Sequence, residues 1–320
     1  MTQPITIETR SPRLGEGEHR LVATLPTFRR PEHLARTLAS LAAQTRPVPV
    51  IVMENDAERR EGLAAARPFF EDGRLQGLVL IAHERGNCSA YNAGWETALA
   101  EFGALEHLLV IDDDEIAGPQ WAERLAGAAD AFAADIVGAP VLPVFEDERG
   151  ERWRRHPVFS PPYRASGPVP ILYGSGNLAI ARQVLETMPR PYLDPAFNFI
   201  GGGDADFFSR CKLRGFSFAW CQEGALYETT PARRTEFSWV HARGLRNGAL
   251  SAIIERRRKG RAVSLARSAA LLAACPLRAA RLGLQTGSAA IGLYPIQVAL
   301  GRWQGEFGLV HEQYRRPEAH

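Results

Sequence analysis

The strongest chemical signal in this sequence of 320 residues is an acidic run directly after an apolar segment. The apolar segment is HLLVI, residues 107–111, and Asp112, Asp113, Asp114 and Glu115 follow it. Carboxylates crowded at the end of a buried strand repel one another, and a divalent cation removes that cost. Oxygen ligands favour Mg²⁺ or Mn²⁺, and a substrate diphosphate can complete the ligand set. We therefore expect such a site here, the alternative being an acidic loop in which Asp112 caps a helix.

A second acidic cluster lies about 90 residues further along, in the segment GGGDADFFSR, residues 201–210. The three glycines allow the backbone to approach a ligand closely. Asp204 or Asp206 then has two interpretations: the cap of a helix that begins there, or a general base at the rim of a pocket. A third small-residue loop contains Gly176 and Asn177, and it is weak evidence by itself because turns use such residues for conformational reasons.

The predicted order of strands and helices indicates where these clusters lie in the fold. Short apolar runs are separated by segments with helical spacing, which predicts an α/β fold with a mostly parallel central sheet flanked by helices. In such sheets ligands bind beyond the carboxyl ends of the strands. The predicted strands are residues 20–25, 48–53, 77–82 and 107–111, and the predicted helices are 31–44, 58–67 and 90–102. The polar residues that follow the strands are 26–30, 54–56, 84–87 and 112–115.

The charge of the chain is unevenly distributed although the net charge is only +2. Residues 1–230 hold 23 basic and 31 acidic side chains, whereas residues 231–281 hold 12 basic and 2 acidic ones. A basic segment on an acidic body suggests an anionic contact, and we expect a membrane surface rather than nucleic acid. The alternatives are a solvated basic helix face, a helical cap on the core and a dimer interface. The first 20 residues lack the apolar stretch of a signal peptide, so we expect a cytoplasmic protein, peripheral on the inner membrane.

Five segments together resemble the family 2 glycosyltransferases of the GT-A fold, most closely the bacterial branch that builds exopolysaccharide and other surface glycans. The similarity covers roughly residues 18–250, and the order and spacing of the segments carry it. The segments are PTFRRPEHLARTLASLAAQ, VIVMEND, IDDDE, GSGNLAI and GGGDADFFSR.

The resemblance implies an inverting transfer of a sugar from a nucleotide-diphosphate donor. Asp112 and Asp114 match the metal-binding DxD of the family, and Glu228 falls where many members supply a further polar group near the metal. Asp204 matches the catalytic base, with Asp206 as the second candidate, because Gly203 replaces the usual preceding Glu. Thr27 and Glu54 would contact the nucleobase and ribose. The expected set for the nucleotide-sugar comprises Pro26, Thr27, Phe28, Arg29, Glu54, Asn55, Asn87, Asp112, Asp113, Gly176 and Asn177.

One departure concerns a donor contact: many members have Arg where this chain has Tyr91. The expected enzyme is a divalent-metal-dependent glycosyltransferase acting on a glycan or lipid-linked acceptor. The alternatives are a nucleotidyltransferase on a sugar phosphate, disfavoured because the loop PTFRR contains no glycine, and a non-catalytic binding protein. The predicted domains are an N-terminal tail (1–17), a GT-A domain (18–235) and a basic helical region (236–320).

Overall fold

The computed structural model describes residues 4–310, and within them the chain divides into two compact units. The first unit runs to Leu142 and resumes at Tyr163–Glu228, and the second joins Pro143–Pro162 to the chain from Thr229 onward. The segment Pro143–Pro162 thus belongs with the C-terminal helices, which no pattern in the sequence indicated. The predicted boundary near residue 235 stays a prediction.

The first unit is built on a mixed sheet of nine strands among the described residues, in the order β1-β4-β3-β2-β5-β10-β7-β11-β9. The neighbours β4, β3, β2 and β5 run parallel, and β10 lies antiparallel between β5 and β7. A smaller sheet has the order β6-β12-β8. The strands are β1 (Ile5–Arg10), β2 (Leu21–Thr27), β3 (Val50–Glu54), β4 (Gly77–Ala82), β5 (His107–Ile111), β6 (Glu115–Ala117), β7 (Ile136–Gly138), β8 (Val141–Phe145), β9 (Gly167–Pro168), β10 (Asn177–Ala181), β11 (Phe218–Trp220) and β12 (Leu226–Thr230).

The predicted strands are present, and the parallel part of the sheet is where the alternation placed it. One correction concerns the predicted N-terminal tail: β1 pairs with the edge strand β4, with Ile5 opposite Ala82. The alternating residues of ITIETR, which suit a strand with one buried face, were the available signal. Residues 1–3 and 311–320 lie outside the described residues.

Six helices accompany the strands of the first unit within the described residues. In α1 the side chains of Leu34, Leu38 and Leu41 are buried, as their spacing predicts. In α6 Phe207 and Phe208 are buried. The helices are α1 (Pro31–Ala42), α2 (Glu61–Glu71), α3 (Asn87–Glu101), α4 (Trp121–Phe132), α5 (Arg182–Thr187) and α6 (Gly203–Leu213).

The second unit contains the remaining helices, and two of them pack with very little space between their backbones. These are α7 (Phe237–Lys259), α8 (Arg261–Thr286), α9 (Ala289–Gly292) and α10 (Tyr294–Glu306). A Cβ atom at Gly248 would lie 2.1 Å from the carbonyl oxygen of Val298, and one at Gly301 would lie 1.9 Å from that of Leu245. Glycine at both positions therefore permits the close approach of α7 and α10.

Candidate active site

Helix α3 links the two acidic clusters of the first unit. Near its start, Cys88 packs against Gly203, where an added Cβ would lie 2.5 Å from the Cys88 sulfur. The charge of Asp204 acts on the same thiol, whose pKa is raised to about 12 by burial first and by Asp204 second. One turn later, the phenol of Tyr91 donates a hydrogen bond to Asp112. Residues three apart on a helix have Cβ atoms about 5–6 Å apart, so the two clusters meet on one face of α3.

The loop that carries Asp204 is held against the start of α3 by Asn198. The amide of Asn198 donates to the Ser89 hydroxyl (2.9 Å) and accepts from the Ser89 backbone N–H (3.0 Å). Gly202, the residue before α6, adopts a left-handed conformation with φ of 91°, which favours glycine. Asp204 therefore lies in the first turn of α6, directly after this glycine loop.

The two aspartates of this loop have different environments. Asp206 is buried and receives a hydrogen bond of 2.8 Å from Arg210 on the next turn of α6. Arg210 also donates to the carbonyl oxygen of Tyr192, so the Asp206 carboxylate is part of a structural ion pair. Asp204 is half-buried and has no ion-pair partner among residues 4–310. Of the two carboxylates, the structure thus pairs that of Asp206 with an arginine.

In the other cluster, Arg30 neutralises part of the acidic run. Its guanidinium lies 2.8 Å from a carboxylate oxygen of Asp114 and 3.3 Å from one of Asp113. Asp113 also accepts a hydrogen bond of 2.9 Å from the Thr27 hydroxyl. Arg30 is missing from the predicted site residues. The signal that could have found it is its position in the loop after β2, opposite carboxylates that need a cation.

Asp112 and Glu115 form the other half of the run, and of these two Glu115 is buried and Asp112 is partly buried. The backbone N–H of Asp112 donates to the Glu115 carboxylate (2.8 Å), and Glu115 pairs in register with Glu228 of β12. Burial and the charge of Asp114 raise the pKa of Asp112 to about 7, and burial raises that of Glu115 well above its usual range. A Cβ at Gly176 would lie 2.3 Å from a Glu115 oxygen, so the loop that contains Gly176 approaches the carboxylates closely.

Comparisons with known proteins show the family to which the chain belongs. The sequence model of glycosyl transferase family 2 matches residues 23–188. The succinoglycan biosynthesis protein ExoM of Rhizobium meliloti (strain 1021) is 30% identical over 234 residues, which are 69% of this chain and 71% of that protein. The chain belongs to glycosyl transferase family 2. The resemblance stated from the five segments is thereby confirmed, and the protein is a glycosyltransferase.

Solved structures show that this glycosyltransferase has the expected GT-A fold. TarS 1–349 of S. aureus, solved in complex with UDP, has a TM-score of 0.52 at 13% identity, over 94% of this chain and 98% of that one. The mannosyltransferase PcManGT of Pyrobaculum calidifontis, in complex with GDP-Man and Mn²⁺, has a TM-score of 0.51 at 19% identity, over 92% of this chain and 89% of that one. At these identities the similarity concerns the fold alone.

The acidic residues of this glycosyltransferase suit a divalent ion whose ligand set a substrate completes. Among residues 4–310, no group of three His, Cys, Asp or Glu side chains is arranged to hold an ion. The predicted ligands Asp114 and Glu228 nevertheless lie within electrostatic range of Asp112, because the pKa of Asp112 is raised by burial first and then by carboxylates that include these two. All are oxygen donors, and Mg²⁺ is usually held by one or two carboxylates together with substrate phosphates. The residues therefore fit an ion that arrives with a diphosphate.

Three of the predicted donor-binding residues make hydrogen bonds with other residues of the protein. Glu54 is fully buried and accepts from the backbone N–H groups of Asp56 (2.9 Å) and Leu63 (3.1 Å), and burial raises its pKa. The Asn55 amide donates to the carbonyl oxygens of residues 82 and 84. Asn177 accepts from the Trp121 indole (2.9 Å) and donates to the carbonyls of residues 140 and 224. All three hold loops at the carboxyl ends of the strands, so their predicted donor contacts stay predictions.

The other predicted donor residues lie around the loop after β2. Pro26 is buried in that strand, and Asn87 is exposed at the start of α3. The Phe28 ring lies 4.9 Å from the guanidinium carbons of both Arg29 and Arg85. Arg29 also lies 2.5 Å from Asp56, a carboxylate absent from the predicted set. The structure thus groups an aromatic ring, two cations and a carboxylate beside the buried Glu54.

Proposed function

We propose that this glycosyltransferase is an inverting, divalent-metal-dependent enzyme that moves a sugar from a nucleotide-diphosphate donor to a hydroxyl of a glycan or lipid-linked acceptor. The observation that carries the proposal is the meeting of two acidic clusters on α3, one at Tyr91 and one at Cys88. A relative named for succinoglycan biosynthesis supports a role in exopolysaccharide assembly. Two solved structures of the same fold, one in complex with UDP and the other with GDP-Man and Mn²⁺, support a nucleotide-sugar donor.

On the donor side, Asp112, Asp114 and Glu228 would hold Mn²⁺ or Mg²⁺ together with the diphosphate. When bound, the ion supplies Lewis-acid stabilisation of the negative charge on the departing diphosphate. Tyr91 fixes the Asp112 carboxylate through its hydrogen bond. Arg30, which pairs with Asp113 and Asp114, keeps positive charge beside the same carboxylates. The predicted donor residues after β2 and β3 would bind the nucleoside.

On the acceptor side, Asp204 would take the proton of the attacking hydroxyl. A hydroxyl is a weak nucleophile, and a carboxylate within hydrogen-bond reach increases its reactivity by accepting that proton. Attack on the face of the sugar opposite the diphosphate inverts the anomeric centre. Asp206 is proposed to position the loop rather than to accept the proton, because Arg210 already neutralises it.

Nucleotide binding tests the donor half of the proposal. We expect calorimetry with UDP and with GDP to show binding of one nucleotide that requires Mn²⁺ and disappears with EDTA. The D114A variant should lose the metal-dependent part of the affinity. The D130A variant, which removes an exposed carboxylate of α4, is the matched control. Nucleotide binding that is equal with and without metal would contradict the metal dependence.

Turnover tests the acceptor half. A screen of nucleotide-sugars for slow donor hydrolysis identifies the donor without knowledge of the acceptor. With that donor, the D204N variant should lose hydrolysis and transfer while still binding the nucleotide with Mn²⁺, and D206N should retain turnover when folded. If D204N keeps full turnover with the acceptor, the assignment of the base is wrong.

For its location, we propose a cytoplasmic enzyme in peripheral contact with the inner membrane through its basic C-terminal helices. The support is the distribution of charge, with 12 basic and 2 acidic side chains in residues 231–281. A polymer assembled on a lipid carrier would place the acceptor at the same surface. A membrane contact would therefore raise the local concentration of the acceptor near the enzyme.

A further inference from the structure

Helix α8 buries two serines on its inner side and exposes a row of apolar side chains, whereas an ordinary surface helix buries its apolar side. Ser264 and Ser268 are fully buried, and their hydroxyls donate hydrogen bonds to the Glu306 carboxylate of α10 at 2.5 and 2.9 Å. Leu277 and Leu284, in contrast, are 78% and 85% exposed. Such an arrangement leaves apolar surface in water unless something covers it.

Six of the exposed apolar positions of α8 form one stripe along the helix. They recur at intervals of three, four and seven residues, which places them on one side of a helix. Every member is exposed, and we call the stripe the α8 outer face. Its members are Val263, Ala266, Ala270, Ala273, Leu277 and Leu284.

Arginines lie beside this stripe, and α8 contains no acidic residue. By helical geometry Arg281 lies close to the stripe, and Arg267 and Arg278 lie along one flank of it. All three are exposed. Arg267 also pairs with Glu255 of α7 (3.2 Å). An apolar stripe beside the cations of Arg278 and Arg281, on a helix without acidic residues, is complementary to the apolar boundary and anionic headgroups of a lipid bilayer.

A network of buried polar groups fixes the inner side of α8. Arg302 of α10 donates to Glu255 of α7 (2.7 Å), to the Ser251 hydroxyl (2.9 Å) and to the Ser268 hydroxyl (3.1 Å). Turning α8 to hide its apolar face would break these hydrogen bonds and leave buried charges without partners, which is costly. The outer face is therefore held outward by the fold.

We propose that the α8 outer face is a docking surface for bilayers that contain anionic phospholipids, with α8 lying along the membrane. This deepens the membrane contact proposed above, by naming its residues and its lipid class. Among residues 4–310, α8 is the helix that is long and apolar enough to cross a membrane. In its most apolar stretch of 18 residues, 17% of the residues are buried inside the protein. It lies along the surface rather than across it, because its inner side is bonded to Glu306 and Arg302, whose charges are expensive in hydrocarbon.

Co-sedimentation with vesicles tests the surface on the full chain. We expect binding to vesicles of phosphatidylcholine mixed with phosphatidylglycerol, and much weaker binding to phosphatidylcholine alone. The double variant L277Q/L284Q should lower the affinity by about tenfold or more, since two leucine side chains no longer enter the lipid. The double variant R278Q/R281Q should lower it by about tenfold and remove most of the preference for the anionic lipid.

Matched controls use exposed residues of the first unit. Leu213, which is 66% exposed, and Arg59 are replaced in the L213Q and R59Q variants, which should bind vesicles like the wild type. Equal vesicle binding by L277Q/L284Q and L213Q would overturn the proposal. A second copy of the chain is the competing occupant. A wild-type dimer that L277Q/L284Q dissociates, together with no vesicle binding, would also overturn it.

Donor hydrolysis without vesicles separates this proposal from the proposed activity. The α8 variants should hydrolyse the donor at the wild-type rate in solution, because no residue of the proposed catalytic or binding set lies in α8. Vesicle binding by a protein without transferase activity would leave the docking surface standing and contradict the activity. Transferase activity in a protein that does not bind vesicles would contradict the docking surface and leave the proposed activity standing.

Discussion

The phenol of Tyr91 donates its hydrogen bond to the carboxylate of Asp112, and this contact joins helix α3 to the acidic run after β5. Tyr91 is fully buried, so the phenol stays neutral, its pKa being raised well above its usual value by burial first and by Asp112 second. A neutral donor stabilises the ionised form of Asp112 without adding a positive charge. The position where many relatives have arginine thus holds a hydrogen-bond donor that leaves the negative charge of the cluster intact.

The Y91F variant should weaken metal-dependent nucleotide binding. Loss of a hydrogen bond to a buried carboxylate costs about 1.5–3 kcal/mol, so we expect an affinity lower by about tenfold or more. Because Asp112 has a pKa of about 7 and the ion binds its deprotonated form, affinity should rise with pH through 7, and Y91F should move that midpoint upward. Calorimetry between pH 6 and 8.5 measures both effects.

The Y163F variant is the control for this experiment. It removes the same atom from a tyrosine whose hydroxyl donates to the Ile171 carbonyl oxygen (2.6 Å). A midpoint that moves equally in both variants, or that does not move in Y91F, would contradict a role of Tyr91 in positioning Asp112.

The R30Q variant should bind Mn²⁺ alone more tightly than the wild type does. Arg30 lies 2.8 Å from the Asp114 carboxylate and competes with an ion for it. Removing a cation beside a cation site strengthens binding, by about fivefold or more if the interaction is worth about 1 kcal/mol. Titration of Mn²⁺ followed by electron paramagnetic resonance measures the change. The R29Q variant, which loses the pair with Asp56, is the control, and weaker Mn²⁺ binding by R30Q would refute the competition.

The D206N and D204N variants should differ in their free energy of unfolding. Replacing Asp206 by Asn leaves Arg210 without its partner in a partly buried site, and we expect unfolding to cost about 1–3 kcal/mol less. Asp204 is half-buried and has no such pair, so D204N should change stability by about 0.5 kcal/mol or less. Urea unfolding of both variants provides the comparison. A D204N variant destabilised as much as D206N would argue for a structural role of both aspartates.

His156 in the second unit should make folding sensitive to acid. The ring is fully buried near Trp153 and Tyr294, its Nδ1 accepts from the Val158 N–H (3.1 Å), and burial lowers its pKa to about 4. The unfolded chain, with a histidine pKa of about 6.5, binds the proton more readily. The contribution of the neutral ring is therefore complete above pH 6.5 and is lost as pH falls toward 4, by up to about 3 kcal/mol.

Urea unfolding at pH 7 and pH 5 measures this contribution as a difference between proteins. The H156Q variant should lose less stability on acidification than the wild type does, since it lacks the titrating ring. The H83Q variant changes an exposed histidine and should behave as the wild type. An identical loss in all three proteins would show that other groups cause the acid sensitivity.

The local pattern of apolar and polar residues was sufficient to predict the parallel strands and the glycosyltransferase family. Strand β4 and strand β5 have the predicted bounds, because an uninterrupted apolar run ends where polar residues begin. Helix α3 starts three residues before the predicted start at residue 90, because the Gly86 N–H is bonded by Asn55, a residue 31 positions earlier. Helix α8 runs through Pro276, although a proline inside a helix removes a backbone hydrogen bond and is typical of a kink or a helix end.

The sequence alone determined that this protein is a family 2 glycosyltransferase with acidic residues after a buried strand, since motif order and apolar runs are properties of neighbouring residues. Only the tertiary structure decided that Asp112 is bonded to Tyr91 of α3 while the loop of Asp204 packs near Cys88 of the same helix. It also decided that Arg30 pairs with Asp114 and that Arg210 pairs with Asp206. It also decided that α8 turns its serines inward. These are contacts between segments far apart in the chain, and their partners depend on strand order and packing, which local periodicity does not encode.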